Sequence, residues 1–170
     1  MKSAVYTFVL LAFVFSGSLF NWFITLNLPQ KVATHFDIAG RPDGFMALQN
    51  HQSFITLSTI FFPLFMVFMI GVLPAWLPSL VNISHRDYWF AAERKSQTLD
   101  YFFFMACILG VLMVFFFVGL NLIIVLANSS KPVLLPLVPF FMVSGLFLIS
   151  IFTWVVMLFL KFKKVDLFKK

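Results

Sequence analysis

Tyr101-Phe-Phe-Phe-Met-Ala-Cys-Ile-Leu-Gly-Val-Leu-Met-Val-Phe-Phe-Phe-Val-Gly-Leu-Asn-Leu-Ile-Ile-Val-Leu-Ala127 runs without an Asp, Glu, Lys, Arg or His. At about 1.5 Å per residue, such a helix exceeds the roughly 30 Å hydrocarbon core of a bilayer. Backbone polar groups cannot stay unpaired in lipid, so the stretch must be helical. Three more runs share the pattern, at about Ala4 to Leu26, Phe54 to Val81 and Val133 to Leu160. The sequence therefore predicts an all-α membrane protein. Its expected architecture is a four-transmembrane-helix bundle with a structured outer loop and a short cytoplasmic interfacial helix, in one integral membrane domain over 1–170. Pro63, Pro74 and Pro78 predict a kinked second span, frayed toward its Pro74-to-Pro78 end.

Composition excludes the other classes. Hydrophobic residues make up 62% and charged residues 11%, too few charges to cover a soluble domain. Disorder would need the opposite balance. Cys107 is the single cysteine, so no internal disulfide or CxxC clip exists. The net charge of +6 has no soluble basic face to serve nucleic acid, and no cofactor is expected. Lys2, an apolar stretch and Ser16-Gly17-Ser18 resemble a cleavable leader, but the run continues through Ile24, which suits a retained span.

Basic residues set the direction. Nine lie on one side: Lys2, Arg86, Arg94, Lys95, Lys161, Lys163, Lys164, Lys169 and Lys170. Three lie on the other: Lys31, Arg41 and Lys131. Both termini are expected in the cytoplasm, with loops 27–53 and 128–132 outside. The tail 161–170 interleaves bases with apolar residues and should rest on anionic headgroups.

The outer loop 27–53 holds the candidate ligand-binding or structural residues Pro29, His35, Phe36, Asp37, Gly40, Asp43 and Gly44. Val32 to Phe36 has strand composition, and Gly40 to Gly44 has turn chemistry, predicting a small hairpin or lid. His35, Asp37, Asp43 and His51 raise a zinc hypothesis, but their spacing forms no closed site. The expectation is that His35 and Asp37 pair with each other or with backbone. Beneath the loop, Asn21, Thr56, Ser58, Thr59 and Asn121 share the outer half of the membrane. They predict interhelical hydrogen bonds, or alternatively an outward-opening polar pocket roofed by the loop. Gly71, Ala75 and Ser79, with Ala106 and Gly110, offer close helix packing.

The inner loop 82–100 carries Asn82, Asp87, Tyr88, Trp89, Glu93 and Arg94. Ser84 and Asp87 resemble a capping box, predicting a helix from about His85 that runs into span three. Tyr88, Trp89 and Phe90 suit the headgroup level.

Leu28-Pro29, Val32-Ala33-Thr34-His35-Phe36-Asp37 and Gly40-Arg41-Pro42-Asp43-Gly44, followed by Asn82 through Phe90 and Glu93-Arg94-Lys95, resemble the two signatures of the domain of unknown function 1648 family. The inner signature usually has Pro where Ser84 and Ala92 stand. The same family supplies the N-terminal unit of SdpI-type bacterial toxin-immunity proteins. The resemblance implies a multi-pass protein of the bacterial cytoplasmic (inner) membrane that senses or binds a ligand or membrane-active peptide through its outer loop. Alternative readings are a membrane-embedded metal-dependent enzyme using the outer His and Asp residues, and a small oligomeric transporter or channel subunit. The expected partners are the lipid bilayer, anionic headgroups, and a membrane-protein partner or a second copy of the chain.

Overall fold

The computed structural model describes residues 2–163. The rest of the basic tail, 164–170, where most of the headgroup anchor was expected, lies outside the described residues. The chain forms α1 (Lys2–Ile24), β1 (Lys31–Phe36), β2 (Pro42–Ala47), α2 (Leu48–Val67), α3 (Leu73–Trp76), α4 (Arg86–Trp89), α5 (Ala92–Ser129) and α6 (Leu137–Lys163). Four helical stretches are long and apolar enough to cross a membrane: Lys2–Ile24, Leu48–Trp76, Ala92–Ser129 and Leu137–Lys163.

Helix α5 is the hub. It packs along α1 and α2, and it is the helix on which α6 rests. Leu10, Val14, Val67, Ala106, Cys107 and Val114 form the central core. Lipid is as apolar as these side chains, so close approach and dispersion replace the hydrophobic effect between spans. Glycine permits that approach at two levels of the α1–α5 contact. A Cβ at Gly17 would stand 2.5 Å from Val114 Cγ1, and one at Gly110 would stand 2.7 Å from Leu10 Cδ1. Gly17 thus packs against α5, within the triplet that resembles a leader cleavage site.

The second span breaks where proline dictates. Pro74 brings no N–H to the helix ladder. A π-helical segment, Phe68–Val72, precedes it, and Leu73 N–H reaches back to Phe68 O. After α3, a 3₁₀ turn at Pro78–Leu80 ends the span. The break therefore starts earlier than the expected Pro74-to-Pro78 fraying.

Several boundaries differ from the sequence expectations. The second span opens at Leu48 rather than about Phe54, so His51 and Gln52 belong to a helix and not to the outer loop. Gln49 through Ser53 read as loop because they are polar, yet His51 and Gln52 turn inward and are buried. Helix α5 begins at Ala92, ahead of Tyr101, and α6 begins at Leu137, after Pro136. The inner loop does not form one continuous helix into α5. His85 adopts a left-handed φ of 56° and no side chain caps α4, so the Ser84–Asp87 capping box does not form. Helix α4 is a single turn, and the chain extends at Ala91 (ψ 148°) before α5 starts.

The outer loop is an antiparallel hairpin in which Val32 faces Met46, Ala33 faces Phe45 and His35 faces Gly44. Gly40 turns it at a φ of 78°. Three contacts seat the hairpin on the bundle. Leu48 N–H donates to Gln30 O at 3.0 Å, and Leu135 N–H donates to Gly40 O at 2.9 Å. Between them, the Asn128 side chain acts as a third strand. Its Oδ1 accepts Ala33 N–H at 2.8 Å, and its Nδ2 donates to Ala33 O at 2.9 Å. Val32 and Ala33 are fully buried beneath.

Asn128→Leu leaves two buried backbone groups of Ala33 unpaired, at about 1–3 kcal/mol each. Hydrogen exchange in nanodiscs should then show the Ala33 amide losing protection while the α5 core amides keep theirs. Unchanged Ala33 protection would refute this docking role.

Candidate functional site

Three helices contribute polar side chains to one buried point beneath the hairpin. Thr59 Oγ1 donates to Ile55 O at 2.7 Å within α2. Asn21 Nδ2 on α1 donates to Thr59 Oγ1 at 2.9 Å. Asn121 Nδ2 on α5 donates to Asn21 Oδ1 at 3.0 Å and to Asn21 O at 3.3 Å. His51 Nε2 meets Asn121 Oδ1 at 3.0 Å. A side branch joins Gln52 Nε2 to Thr25 Oγ1 at 3.2 Å, and Thr25 in turn donates to Trp22 O at 2.8 Å.

The direction of this chain follows from its fixed ends. Backbone carbonyls only accept, so Thr59 must donate to Ile55 and accept from Asn21. The Asn21 carbonyl orients the Asn121 amide, leaving Asn121 Oδ1 toward His51. An amide oxygen carries no proton, so His51 must donate from Nε2. A neutral His51 then presents a bare Nδ1, which makes no hydrogen bond among the described residues.

His51 and Asn121 lie in the wall of a cavity of about 600 Å³. Thr34, His35 and Phe36 of the hairpin roof it, α2 and α5 form its sides, and Phe140 of α6 closes one flank. Most of the remaining wall is apolar, with Phe54, Ile55, Phe117 and Ile124 among its residues. The structure thus shows the interhelical bonds expected of the polar cluster, and beside them a pocket under the loop that is mostly apolar rather than polar.

Not every residue of the expected cluster joins the network. Thr56 Oγ1 is buried without a partner among the described residues, as is Ser18 Oγ. Ser58 is buried and makes no side-chain hydrogen bond among the described residues. His51, Gln52, Thr25 and Asn128 were not foreseen as members of this site. Two signals were present in the sequence: His51, Ile55 and Thr59 repeat every four residues, and Asn121 and Asn128 lie two helical turns apart.

In the hairpin, His35 and Asp37 do not pair with each other. Strand β1 ends at Phe36, so the alternation that would place both on one face stops there. His35 Nδ1 bonds Asp43 Oδ1 instead. Asp37 Oδ1 accepts Arg41 N–H at 2.8 Å and Ala39 N–H at 2.9 Å, and its Oδ2 meets Arg41 Nε at 2.9 Å. Gly44 lies against His35, where a Cβ would stand 2.7 Å from His35 Cβ. Pro29 is exposed beside the buried Leu28. Among the described residues, no group of three or more His, Cys, Asp or Glu side chains is placed to hold a metal.

The inner-loop residues gather elsewhere. The Arg94 guanidinium lies 4.0 Å from the Tyr88 ring centroid, donates to Tyr88 O at 2.8 Å and pairs with Glu93 at 2.8 Å. Trp89 Nε1 donates to Phe162 O at 3.3 Å, so Trp89 clamps the end of α6. Asp87 is exposed beside Arg86, and Asn82 is exposed as well.

Residues 7–70 match the family described as Domain of unknown function (DUF1648). That segment covers most of α1, the hairpin and all of α2, and so the Asn21, His51 and Thr59 parts of the network. No curated protein and no solved structure matches the chain.

The Arg41 backbone N–H lowers the Asp37 carboxyl pKa below its ordinary 3.8. Desolvation opposes this, while the Arg41 guanidinium and the Ala39 N–H add to the lowering. A depressed carboxylate stabilises the fold above its unfolded value, and the contribution is lost as pH falls through the folded value. The midpoint at which the Ala39 and Arg41 amide-proton shifts move on acidification should therefore lie below 3.8. Asp37→Asn should abolish that transition; an unchanged transition in the variant would assign it to another group.

Proposed function

We propose that this chain, whose residues 7–70 carry a DUF1648 domain, is a non-enzymatic binding protein of the bacterial cytoplasmic membrane. Its outer groove takes an amphipathic ligand from the outer leaflet and leaves it chemically unchanged. The observation that carries this reading is His51 in the wall of a mostly apolar cavity, its Nε2 committed to Asn121 Oδ1 and its Nδ1 left as the acceptor. Such a wall favours a hydrocarbon or apolar side-chain body, and one convergent acceptor sets orientation by taking a single N–H or O–H. A membrane-active peptide has both features, which fits the resemblance to SdpI-type immunity proteins. The basic residues support the direction: Lys2, Arg86, Arg94, Lys95, Lys161 and Lys163 lie at the end of the bundle away from the hairpin.

A pair of probes isolates the acceptor. A long-chain alcohol and its methyl ether share an apolar body, but only the alcohol has a donor. The wild-type chain in nanodiscs should bind the alcohol about tenfold more tightly, the effect of one hydrogen bond of about 1.4 kcal/mol. In His51→Leu the two probes should bind alike. Equal binding of both probes to the wild type would contradict the assignment of His51 as the recognising group.

A further inference from the structure

At the opposite end of the bundle, a second chamber of about 590 Å³ opens between the broken end of span two and α6. Ile70 and Pro74 line it on one side, Phe102 on α5 forms its back, and Leu158 on α6 faces them. Its walls are held in place. Trp154 Nε1 donates to Met105 O at 2.7 Å and Trp89 Nε1 to Phe162 O at 3.3 Å, fixing α6 to α5 and to the inner loop. Helix α6 cannot swing inward to fill the space without breaking these bonds. A mostly apolar chamber offers water few of the two to four partners it needs, so hydrocarbon is the natural filler.

The chamber has a polar mouth. A cleft of about 430 Å³ shares Val81, Asn82 and Ile83 with it and is also lined by His85, Arg86, Asp87 and Tyr88. Arg86 is exposed; its Nη1 lies 3.3 Å from Ser79 O, and its Nε lies 3.5 Å from Asp87. Asp87 is itself almost wholly solvent-exposed, so water weakens its hold on Arg86. Among the described residues at this end, six Lys and Arg face three acids, Asp87, Glu93 and Asp100. Apolar volume opening onto a cleft that presents Arg86, at an end of the bundle where bases outnumber acids, matches a molecule with an acyl chain and an anionic head.

We propose that the chamber holds an anionic glycerophospholipid of the inner leaflet, with an acyl chain between Pro74 and Leu158 and the phosphate at Arg86. This site is separate from the outer groove and does not depend on what that groove binds.

Native mass spectrometry of the full chain tests it, after equilibration with equal amounts of phosphatidylglycerol and phosphatidylcholine of matched acyl chains. Phosphatidylglycerol should be retained about fivefold over phosphatidylcholine, the effect of one well-placed arginine. Arg86→Gln should bring the ratio near one. Leu158→Trp, which narrows the chamber and leaves the cleft intact, should reduce retention of both lipids; it also decides the question if Arg86→Gln fails to fold. Equal retention by the wild type, an unchanged ratio in Arg86→Gln, or full retention in Leu158→Trp would overturn the proposal.

Discussion

A side-chain amide buried in a bilayer can be satisfied only by another part of the protein, and Asn121 is buried at the meeting point of three spans. Its amide donates to Asn21 on α1, and its oxygen accepts from His51 on α2. Interhelical hydrogen bonds in membranes average only about 0.6 kcal/mol and reach about 1.7. Stability therefore rests mainly on apolar packing, where Gly17 meets Val114 and Gly110 meets Leu10. What the network fixes is register: a helix that rotated or slid would leave Asn21, Thr59 or Asn121 unpaired in hydrocarbon. It also fixes direction, because a chain of donors ending on a backbone carbonyl runs one way.

That direction links fold to function. Seating the hairpin through Asn128 and Leu135 sets a roof over α2 and α5. The roof gives an apolar groove its outer wall, and the network holds the His51 ring in place at that groove. At the far end, a second chamber lies between the proline-broken second span and α6. The two chambers occupy opposite ends of the same bundle and differ in character: His51 and Asn121 stand in the wall of one, and Arg86 and Asp87 stand at the mouth of the other.

Much of this was legible in the sequence where the signal was local. Uncharged runs identified four spans, and counting residues from their ends put Asn21 and Asn121 at matching depth. Gly40 through Gly44 announced a turn. The misreadings have two physical origins, a polar residue whose partner is distant in the chain and a local backbone that departs from the regular element the spacing assumed. His51 and Gln52 looked like loop because hydropathy cannot tell an inward polar face from an exposed one. Asn128 acts as a strand partner for Ala33, a contact no local pattern encodes. The Ser84–Asp87 pair had capping spacing, but His85 takes a left-handed backbone and the cap is lost. His35 and Asp37 kept strand alternation on paper, while the strand stops between them.

The tautomer of His51 is the most direct test, because both the interhelical register and the groove's acceptor follow from it. Nitrogen-15 NMR of histidine-labelled protein in nanodiscs, with His51 assigned by substitution, reads the protonation of each ring nitrogen. The directed chain predicts a protonated Nε2 and a bare Nδ1 at neutral pH. A His51 carrying its proton on Nδ1, or exchanging between the two tautomers, would contradict the network's direction and with it the assignment of the groove.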